Sequence, residues 1–354
     1  MKKSILTVVG LAMLFVSCGS NETVDDQAGG DDIAPTISKG KLEYTIGTKV
    51  DVSTWTWKDA DLSDALSKSN NVSNDIQGTI SEDVILDGVY NLTGSYIVPS
   101  GKTLTIAAGT EIIADASGTD VYIAVLKGGM INIEGTSAEP VVMSSVNGAP
   151  ADWGGLTICG KGITSAGVDA SAEVGGFIYG GVDAADNSGS IKYLVIRGTG
   201  AQINADAQYN GISFYAVGSG TVVENVAVIN GDDDGVEFFG GSVEAKNLYL
   251  VNNSDDAVDW TESWDGAVEN AYISHTIAGF STVFEGDKGN ANPTFTNITA
   301  ISTVGGTALQ FKIQSGGSIT NLYLEGYTSE IDFKDNGQHS NVQIDGSDAV
   351  IVGE

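Results

Sequence analysis

Acidic side chains gather in two stretches of the second half of the chain, and these are the residues best suited to chemistry. The first stretch holds Asp232, Asp233, Asp234 and Glu237, and the second holds Asp255, Asp256 and Asp259 at an offset of 22 residues. Carboxylates about 5 Å apart repel each other by roughly 3 kcal/mol at an effective dielectric of about 20. Ca²⁺ relieves such repulsion because it takes several hard oxygen ligands in flexible geometry. The pattern therefore predicts a calcium site shared by both stretches.

Two other interpretations of these acids stay open. The charges can splay apart in a solvated turn, or Asp233, Asp234, Asp255 and Asp256 can supply the catalytic carboxylates of a polysaccharide hydrolase, which stand about 6.5–9.5 Å apart in inverting enzymes. A lyase would need a basic proton abstractor. The chain offers a single arginine, Arg197, and two histidines without an evident partner.

A second acidic loop is a weaker metal candidate. Asp183 and Asp186 stand close to Asn187 and Ser190, which supplies oxygen ligands at short spacing. The same residue types also make ordinary turns by bonding their own backbone. Neither acidic region has the spacing of an EF-hand loop.

Aromatic side chains are the other candidates for ligand contact. Tyr249, Tyr272 and Tyr323 occupy the same outward position of three similar segments, and a row of aromatic faces can stack on sugar rings or seat a protein partner. A neighbouring loop that covers this face is the alternative. Trp264 lies just after the second acidic stretch and is predicted to be exposed beside it.

An internal repeat predicts the elements that position these residues. An asparagine precedes a short alternating apolar run at Asn225, Asn247, Asn270, Asn297, Asn321 and Asn341, with spacings of 22, 23, 27, 24 and 20 residues. Short strands at this period pair with the next repeat at the ~4.8 Å spacing of a sheet. Stacking would then align the asparagines in a ladder of amides.

A second set of residues keeps the same period. The aromatic residues Phe214, Phe238, Trp260, Phe284, Phe311 and Phe333 recur once per repeat and are expected to pile up inside the fold. An antiparallel β-sandwich would not keep an asparagine and an aromatic residue in constant phase. The sequence therefore predicts an all-β, right-handed parallel β-helix of about 22–24 residues per coil. Alternation along its strands places Glu237 and Asp259 outward, one above the other.

The ends of the chain predict export and anchoring. Residues 1–17 resemble a lipoprotein signal peptide that ends at Cys18, which would carry the lipid. Residues 18–40 are polar and acidic and are expected to form a flexible tether. Residues 41–80 do not repeat and are predicted to be a small N-terminal cap that contains a short helix, and residues 81–354 the β-helix.

Composition limits the partners. The chain has 46 acidic and 16 basic residues and a net charge of -30, which becomes -32 when the signal peptide with its two lysines is removed. Such a field repels nucleic acid and anionic membranes. Membrane contact is therefore expected only through the lipid.

Several motifs resemble those of a widespread set of Bacteroidetes β-helix lipoproteins. They are Asp152–Leu156, Tyr179–Asp183 with Asp186–Gly189, Asn210–Ile212 and Asp233–Gly241, and the resemblance covers residues 80–345. It implies the β-helix fold and an outer-membrane position, and it brings no catalytic residue. β-Helix polysaccharide hydrolases also carry Gly-His-Gly and Arg-Ile-Lys elements, which this sequence lacks.

The predicted function is therefore that of a lipid-anchored binding or scaffold protein at the outer membrane, facing the cell exterior. It would contact a glycan or a neighbouring outer-membrane protein, with Ca²⁺ as the candidate cofactor. A polysaccharide-cleaving enzyme, hydrolase or lyase, that uses the acidic coils is the alternative.

Overall fold

Strands of this chain pair with strands one coil away, in parallel and in register. Val236 pairs with Val258, which in turn pairs with Phe284. The computed structural model describes residues 38–63, 74–205, 207–289 and 291–353. Each coil therefore stacks on the next in parallel, as in a solenoid. The predicted parallel β-helix is confirmed.

The described residues form 26 strands and two short 3-10 helices. The strands are β1 Lys39–Gly40, β2 Asp75–Thr79, β3 Val84–Leu86, β4 Val89–Val98, β5 Thr103–Ile106, β6 Glu111–Ala114, β7 Ile123–Val125, β8 Met130–Glu134, β9 Val141–Ser145, β10 Leu156–Cys159, β11 Ala170–Ser171, β12 Ile178–Tyr179, β13 Gly189–Arg197, β14 Ile212–Val217, β15 Val222–Ile229, β16 Val236–Gly241, β17 Glu244–Val251, β18 Val258–Thr261, β19 Ala267–His275, β20 Phe284–Gly286, β21 Thr294–Ser302, β22 Thr307–Phe311, β23 Gly317–Glu325, β24 Ser329–Phe333, β25 Val342–Ile344 and β26 Ser347–Asp348. The 3-10 helices are Thr56–Asp59 and His339–Asn341.

The asparagine ladder lies at a corner of the coil, where one long strand bends between two faces. Asn225, Asn247, Asn270, Asn297 and Asn321 all have φ between 56° and 61°, a left-handed conformation that asparagine tolerates better than most residues. Each side-chain amide from Asn247 onward donates to the side-chain oxygen of the asparagine one coil earlier, at 2.8–3.0 Å. The ladder is therefore confirmed over five coils.

The predicted sixth member, Asn341, is not part of the ladder. If Asn341 stood beside Asn321, the next residue, Val342, would pair with Leu322. Val342 instead pairs with Gly317, a shift of five residues along the neighbouring strand. Asn341 instead ends the second 3-10 helix. The acidic side chain of Asp345 accepts the backbone N–H of Asn321 at 2.9 Å and so occupies the final position of this corner.

Apolar side chains from all faces fill the interior. Phe214 stacks on Phe238 with ring centroids 5.2 Å apart, and Trp260 and Phe311 continue the buried aromatic series. The predicted place of Phe284 in this series is wrong by two residues, since Phe284 pairs with Val258 and Leu309. Gly286 takes the aromatic position, because a Cβ there would lie 2.7 Å from the rigid Trp260 ring.

Residues 38–63, here called the strap, correct the prediction of an N-terminal cap. β1 pairs antiparallel with β24 of a late coil, and Val50 donates to Thr299 in the middle of the stack. Trp57 packs beside Val195 and Ile229 of earlier coils. The strap thus runs along the side of the solenoid. Its few apolar residues cover strand faces that would otherwise be exposed to solvent. The short helix predicted for this region falls at about residues 59–68, and residues 64–73 lie outside the described residues. In the described part, a 3-10 helix spans Thr56–Asp59.

The described residues from 38 onward form one compact unit. The predicted signal peptide, Cys18 and most of the predicted tether lie outside the described residues. Within the described residues, no helix has the length and apolar character needed to cross a bilayer.

Candidate functional site

The predicted acidic residues converge beside one face of the solenoid. Register places Glu237 directly beside Asp259, and Asp259 beside Glu285, on β16, β18 and β20. Their neighbours Val236 and Phe238 point into the core and are fully buried. The turns that precede β16 and β18 add the remaining aspartates of the two acidic stretches. Parallel stacking therefore brings together carboxylates that are separated by more than 20 residues in sequence.

Three overlapping sets of carboxylates have ligand atoms within 4.8 Å of one another. They are Asp233, Asp234 and Asp255; Asp234, Glu237 and Asp259; and Asp256, Asp259 and Glu285. Asp234 belongs to the first two sets and Asp259 to the last two. The expected sharing of acids between adjacent coils is present, and the expectation that they splay apart as a solvated turn is wrong.

Burial distinguishes the mouth of the cluster from its interior. Asp255 is exposed and Asp233 is half-buried, whereas Asp234 and Glu237 are 5% and 8% exposed. Together with Glu173 and the loop residues Gln202, Asn204, Ala205, Ala207 and Gln208, the acids line a pocket of about 270 Å³. Glu237 and Asp259 point away from the core as predicted, but these loops cover them.

Five acids of the cluster, Asp233, Asp234, Glu237, Asp256 and Asp259, have pKa values raised above the ordinary range for their residue type. Burial, then the charge of Asp255, raises the pKa of Asp233 to about 8. Burial, then the charge of Glu285, raises the pKa of Asp256 to about 7. The pKa values of Asp234, Glu237 and Asp259 lie well above the ordinary range, first because of burial and then because of the neighbouring carboxylates.

The middle set has oxygen atoms that lack a partner. Asn210 is 1% exposed and donates its Nδ2 to Glu237 at 2.6 Å, while its buried Oδ1 accepts no hydrogen bond from a described residue. The buried Oδ1 of Asp259 also lacks a hydrogen-bond partner among the described residues. Unpaired buried acceptors are costly. A cation in this set would satisfy the Asp259 oxygen.

Two members of the third set, Asp256 and Glu285, already accept hydrogen bonds from protein donors. Asp256 Oδ1 accepts the backbone N–H of Thr282 at 2.6 Å and its hydroxyl at 2.5 Å. Glu285 accepts from Gln310 and from the ammonium of Lys312. The structure therefore favours the sets that contain Asp234 as the cation position.

Sequence reasoning missed Glu285 and Glu173. The repeat predicted from sequence places Phe284 two residues from its observed register. With that alignment, Glu285 does not fall at the position of Glu237 and Asp259. A consistent acidic position at 237, 259 and 285 is the signal that could have found it. Glu173 lies in the loop between β11 and β12 and lines the acidic pocket. This loop is not part of the repeat, so no periodic pattern in the sequence predicts its position.

The other predicted metal ligands are not brought into the cluster. Among the described residues, Asp232, Asp183 and Asp186 belong to no such carboxylate set. Asp232 accepts a hydrogen bond from Gln208. Asp183 is exposed and accepts the backbone N–H of Ala185, and Asp186 accepts the Ser188 hydroxyl. Asp183 and Asp186 thus make the turn hydrogen bonds that were the alternative to metal binding, and a metal ion at this loop stays a prediction.

The predicted row of tyrosines is present, and lysines of the strap lie over two of its three rings. Tyr249 and Tyr272 are register neighbours and stack at 5.5 Å. Lys58 lies 5.3 Å from the Tyr249 ring and Lys49 lies 4.7 Å from the Tyr323 ring. All three tyrosines are half-buried. The covering segment that was the alternative is present at Tyr249 and Tyr323, and binding of an external ligand by this row stays a prediction.

Trp264 is fully buried, so its predicted exposure beside the acids is also wrong. Its ring stacks on Phe238 at 4.1 Å, and its Nε1 donates to the backbone oxygen of Val243. Glu262 and Ser263 adopt φ of 55° and 62° immediately before it. This left-handed pair ends β18 and turns the chain so that the indole enters the core.

These features define a parallel β-helix protein with a buried acidic pocket at one side of its coils. The chain belongs to the family of pectate-lyase-like β-helix domains, whose model matches residues 78–352.

Solved structures with a similar chain path include catalytic domains of GH87 alpha-1,3-glucanase. One, in complex with tetrasaccharides, is 12% identical, with 91% of this chain and 69% of that chain covered and a TM-score of 0.30. Another, in complex with nigerose, is 11% identical, with 91% and 70% covered and a TM-score of 0.32. No curated protein matches the sequence.

Proposed function

We propose that this protein binds calcium in the acidic pocket and uses the ion to hold a uronate-containing polysaccharide. The carrying observation is the set of Asp234, Glu237 and Asp259, whose ligand atoms lie within 4.8 Å of one another. The buried Asn210 Oδ1 offers a further hard oxygen beside them. Ca²⁺ prefers six to eight such ligands, and the protein supplies only part of this number.

The open coordination positions are where a ligand would bind. The first carboxylate set reaches the surface at the exposed Asp255. An anionic polysaccharide is repelled by a chain of net charge -30 unless a cation bridges the two. The family name refers to pectate, a polyuronate, which supports this class of ligand.

Calcium binding is tested by differential scanning calorimetry of the full chain. A ligand at a hundredfold excess over Kd raises the free energy of unfolding by about 2.7 kcal/mol. With an unfolding entropy of about 2.1 cal/mol/K per residue, this corresponds to a rise in Tm of about 4 °C. Because the acids titrate well above their ordinary range, binding should also release protons, measurable by titration in buffers of different ionisation enthalpy. Asp234→Asn with Glu237→Gln should remove both signals, and Asp183→Asn should keep them.

Sodium chloride at matched ionic strength separates coordination from screening. If it reproduces the whole Tm shift without proton release, the calcium site is wrong. Ligand binding is tested separately by affinity electrophoresis in polygalacturonate, alginate and a neutral glucan. Retardation by the uronates with Ca²⁺ and its loss with EGTA are expected. Calcium binding without such retardation would contradict only the ligand.

The pKa values favour one second candidate, a polysaccharide-cleaving enzyme. Asp233, with a pKa of about 8, stays protonated at neutral pH and lies in the pocket within reach of solvent. A general acid needs this protonation state. The test is incubation with neutral and acidic polysaccharides, followed by assays of reducing ends and of absorbance at about 235 nm. Activity that Asp233→Asn abolishes would replace the binding proposal.

We further propose that the protein is lipidated at Cys18 and displayed at the outer membrane of a bacterium. The sequence before residue 38 supports this proposal through its signal-like apolar run and its acidic segment. A tether of this kind would leave the acidic pocket free to meet an extracellular polysaccharide.

A further inference from the structure

A second cleft lies at the turns that follow the asparagine-containing strands, and it differs in chemistry from the acidic pocket. It has a volume of about 330 Å³ and lies between the loops 147–150 and 277–280. Asn230, Asn252, Asn253 and Ser254 are among the residues that line it. The volume falls at the lower end of small-molecule sites, about 300–1,000 Å³.

The cleft carries no ionisable side chain among its lining residues. They are Asn147, Gly148, Ala149, Pro150, Asn230, Asn252, Asn253, Ser254, Ile277, Ala278 and Phe280. The chain has 46 acidic residues, so this neutral lining distinguishes the cleft from the acidic pocket. A cation would bind more favourably in the acidic pocket, and the lining of this cleft has no positive group to bind an anion. An uncharged ligand is the class that fits.

Two of the lining asparagines come from matching positions of the solenoid. Asn230 and Asn252 occupy equivalent positions of adjacent coils with φ of 57° and 54°. Asn252 exchanges hydrogen bonds with Thr276, donating to its hydroxyl and accepting its backbone N–H. The described hydrogen bond of Asn230 is made by its backbone N–H to Val251, which leaves its carboxamide for a ligand.

Apolar side chains complete the lining of the cleft. Ile277 is 61% exposed at the rim. Phe280 stacks on His275 with centroids 3.7 Å apart, and burial lowers the His275 pKa to about 4, so this wall stays uncharged at neutral pH. On the opposite side, Asp152 accepts the backbone N–H of Ala149 and fixes that loop.

From this combination we infer that the cleft binds an uncharged saccharide. Amide groups both donate to and accept from sugar hydroxyls, and apolar walls cover the C–H faces of the ring. The inference is independent of the calcium proposal, because none of the lining residues belongs to the carboxylate sets.

The test uses the full chain in EGTA, so that the calcium site does not contribute. Isothermal titration calorimetry with maltotriose, cellotriose, mannotriose, xylotriose and galactobiose measures binding directly. Asn230→Gly removes the carboxamide while glycine keeps the positive φ without strain. This variant should weaken the binding sugar about fivefold, the effect of losing a hydrogen bond. Ile277→Asp should weaken it as well.

Asn336→Gly is the matched control, since Asn336 also has a positive φ of 64° but is exposed and lies outside the cleft. It should bind the sugar with unchanged affinity. The inference is overturned if none of the five sugars binds with a Kd below about 10 mM, or if Asn230→Gly binds as tightly as the parent chain.

Discussion

At the scale of single residues, the acidic pocket shows how stacking alters carboxyl chemistry. An aspartate has an ordinary pKa of 3.8, and Asp233 and Asp256 reach about 8 and 7 after burial beside like charges. The composition alone indicates acidity, but it does not reveal which acids retain their protons. A cation and a proton compete for the same oxygens, so the two states are linked.

This linkage predicts the pH dependence of stability. In EGTA the folded chain holds more protons than the unfolded chain between about pH 4 and pH 8, so the free energy of unfolding falls as pH rises through this window. Calorimetry should therefore give a lower Tm at pH 8.5 than at pH 5. Saturating Ca²⁺ should flatten this profile, because the ion binds the ionised carboxylates.

Asp233→Asn should reduce the slope in EGTA, since it removes one group with a raised pKa. Asp183→Asn changes an exposed aspartate outside the pocket and should leave the slope unchanged. A Tm that stays constant or rises between pH 5 and pH 8.5 in EGTA would contradict the raised pKa values.

At the scale of elements, the asparagine corner joins two faces of each coil. The left-handed backbone makes the bend, and the amide chain links successive bends. Asparagine is suited to both tasks, since it tolerates this conformation and carries both donor and acceptor. The strap acts at the same scale, where Trp57 is only 3% exposed against the solenoid side.

Substitutions at Asn270 should separate the two contributions of this corner. Asn270→Gly keeps the φ of 61° but loses hydrogen bonds to Asn247 and from Asn297, at a cost of about 1–3 kcal/mol. Asn270→Leu adds left-handed strain and should cost roughly 1–2 kcal/mol more. Urea unfolding measures both values.

Asn341→Leu serves as the comparison, since Asn341 lies outside the ladder. It should change the free energy of unfolding by less than about 1 kcal/mol. Equal losses for Asn270→Gly and Asn341→Leu would show that the ladder hydrogen bonds add nothing to stability.

At the scale of the whole molecule, the anchoring proposal makes a direct prediction. Cys18→Ala should release the protein from membranes or leave its precursor uncleaved, because the acylated thiol is lost. Cell fractionation with radiolabelled palmitate measures both outcomes. Cys159→Ala is the matched control, since Cys159 is fully buried, and it should keep the label. Palmitate incorporation into the Cys18→Ala chain would contradict the proposal.

The sequence by itself determined the architecture, because a solenoid repeats its requirements along the chain. Apolar alternation, a corner asparagine and a core aromatic must recur once per coil, and the 22-residue offset of the acids followed from the same period. The β-helix, the ladder from Asn225 to Asn321 and the shared acidic site were therefore predictable from spacing.

Only the tertiary structure decided what covers each face, because the covering segments are not periodic. Lysines of the strap lie over two rings of the tyrosine row, the loop between β11 and β12 and a neighbouring loop close the acidic pocket, and a local left-handed turn buries Trp264. Coil lengths also vary, with 26 residues from Asp259 to Glu285 against 22 from Glu237 to Asp259. Insertions of this kind shift the register at a turn, and only backbone pairing shows by how much.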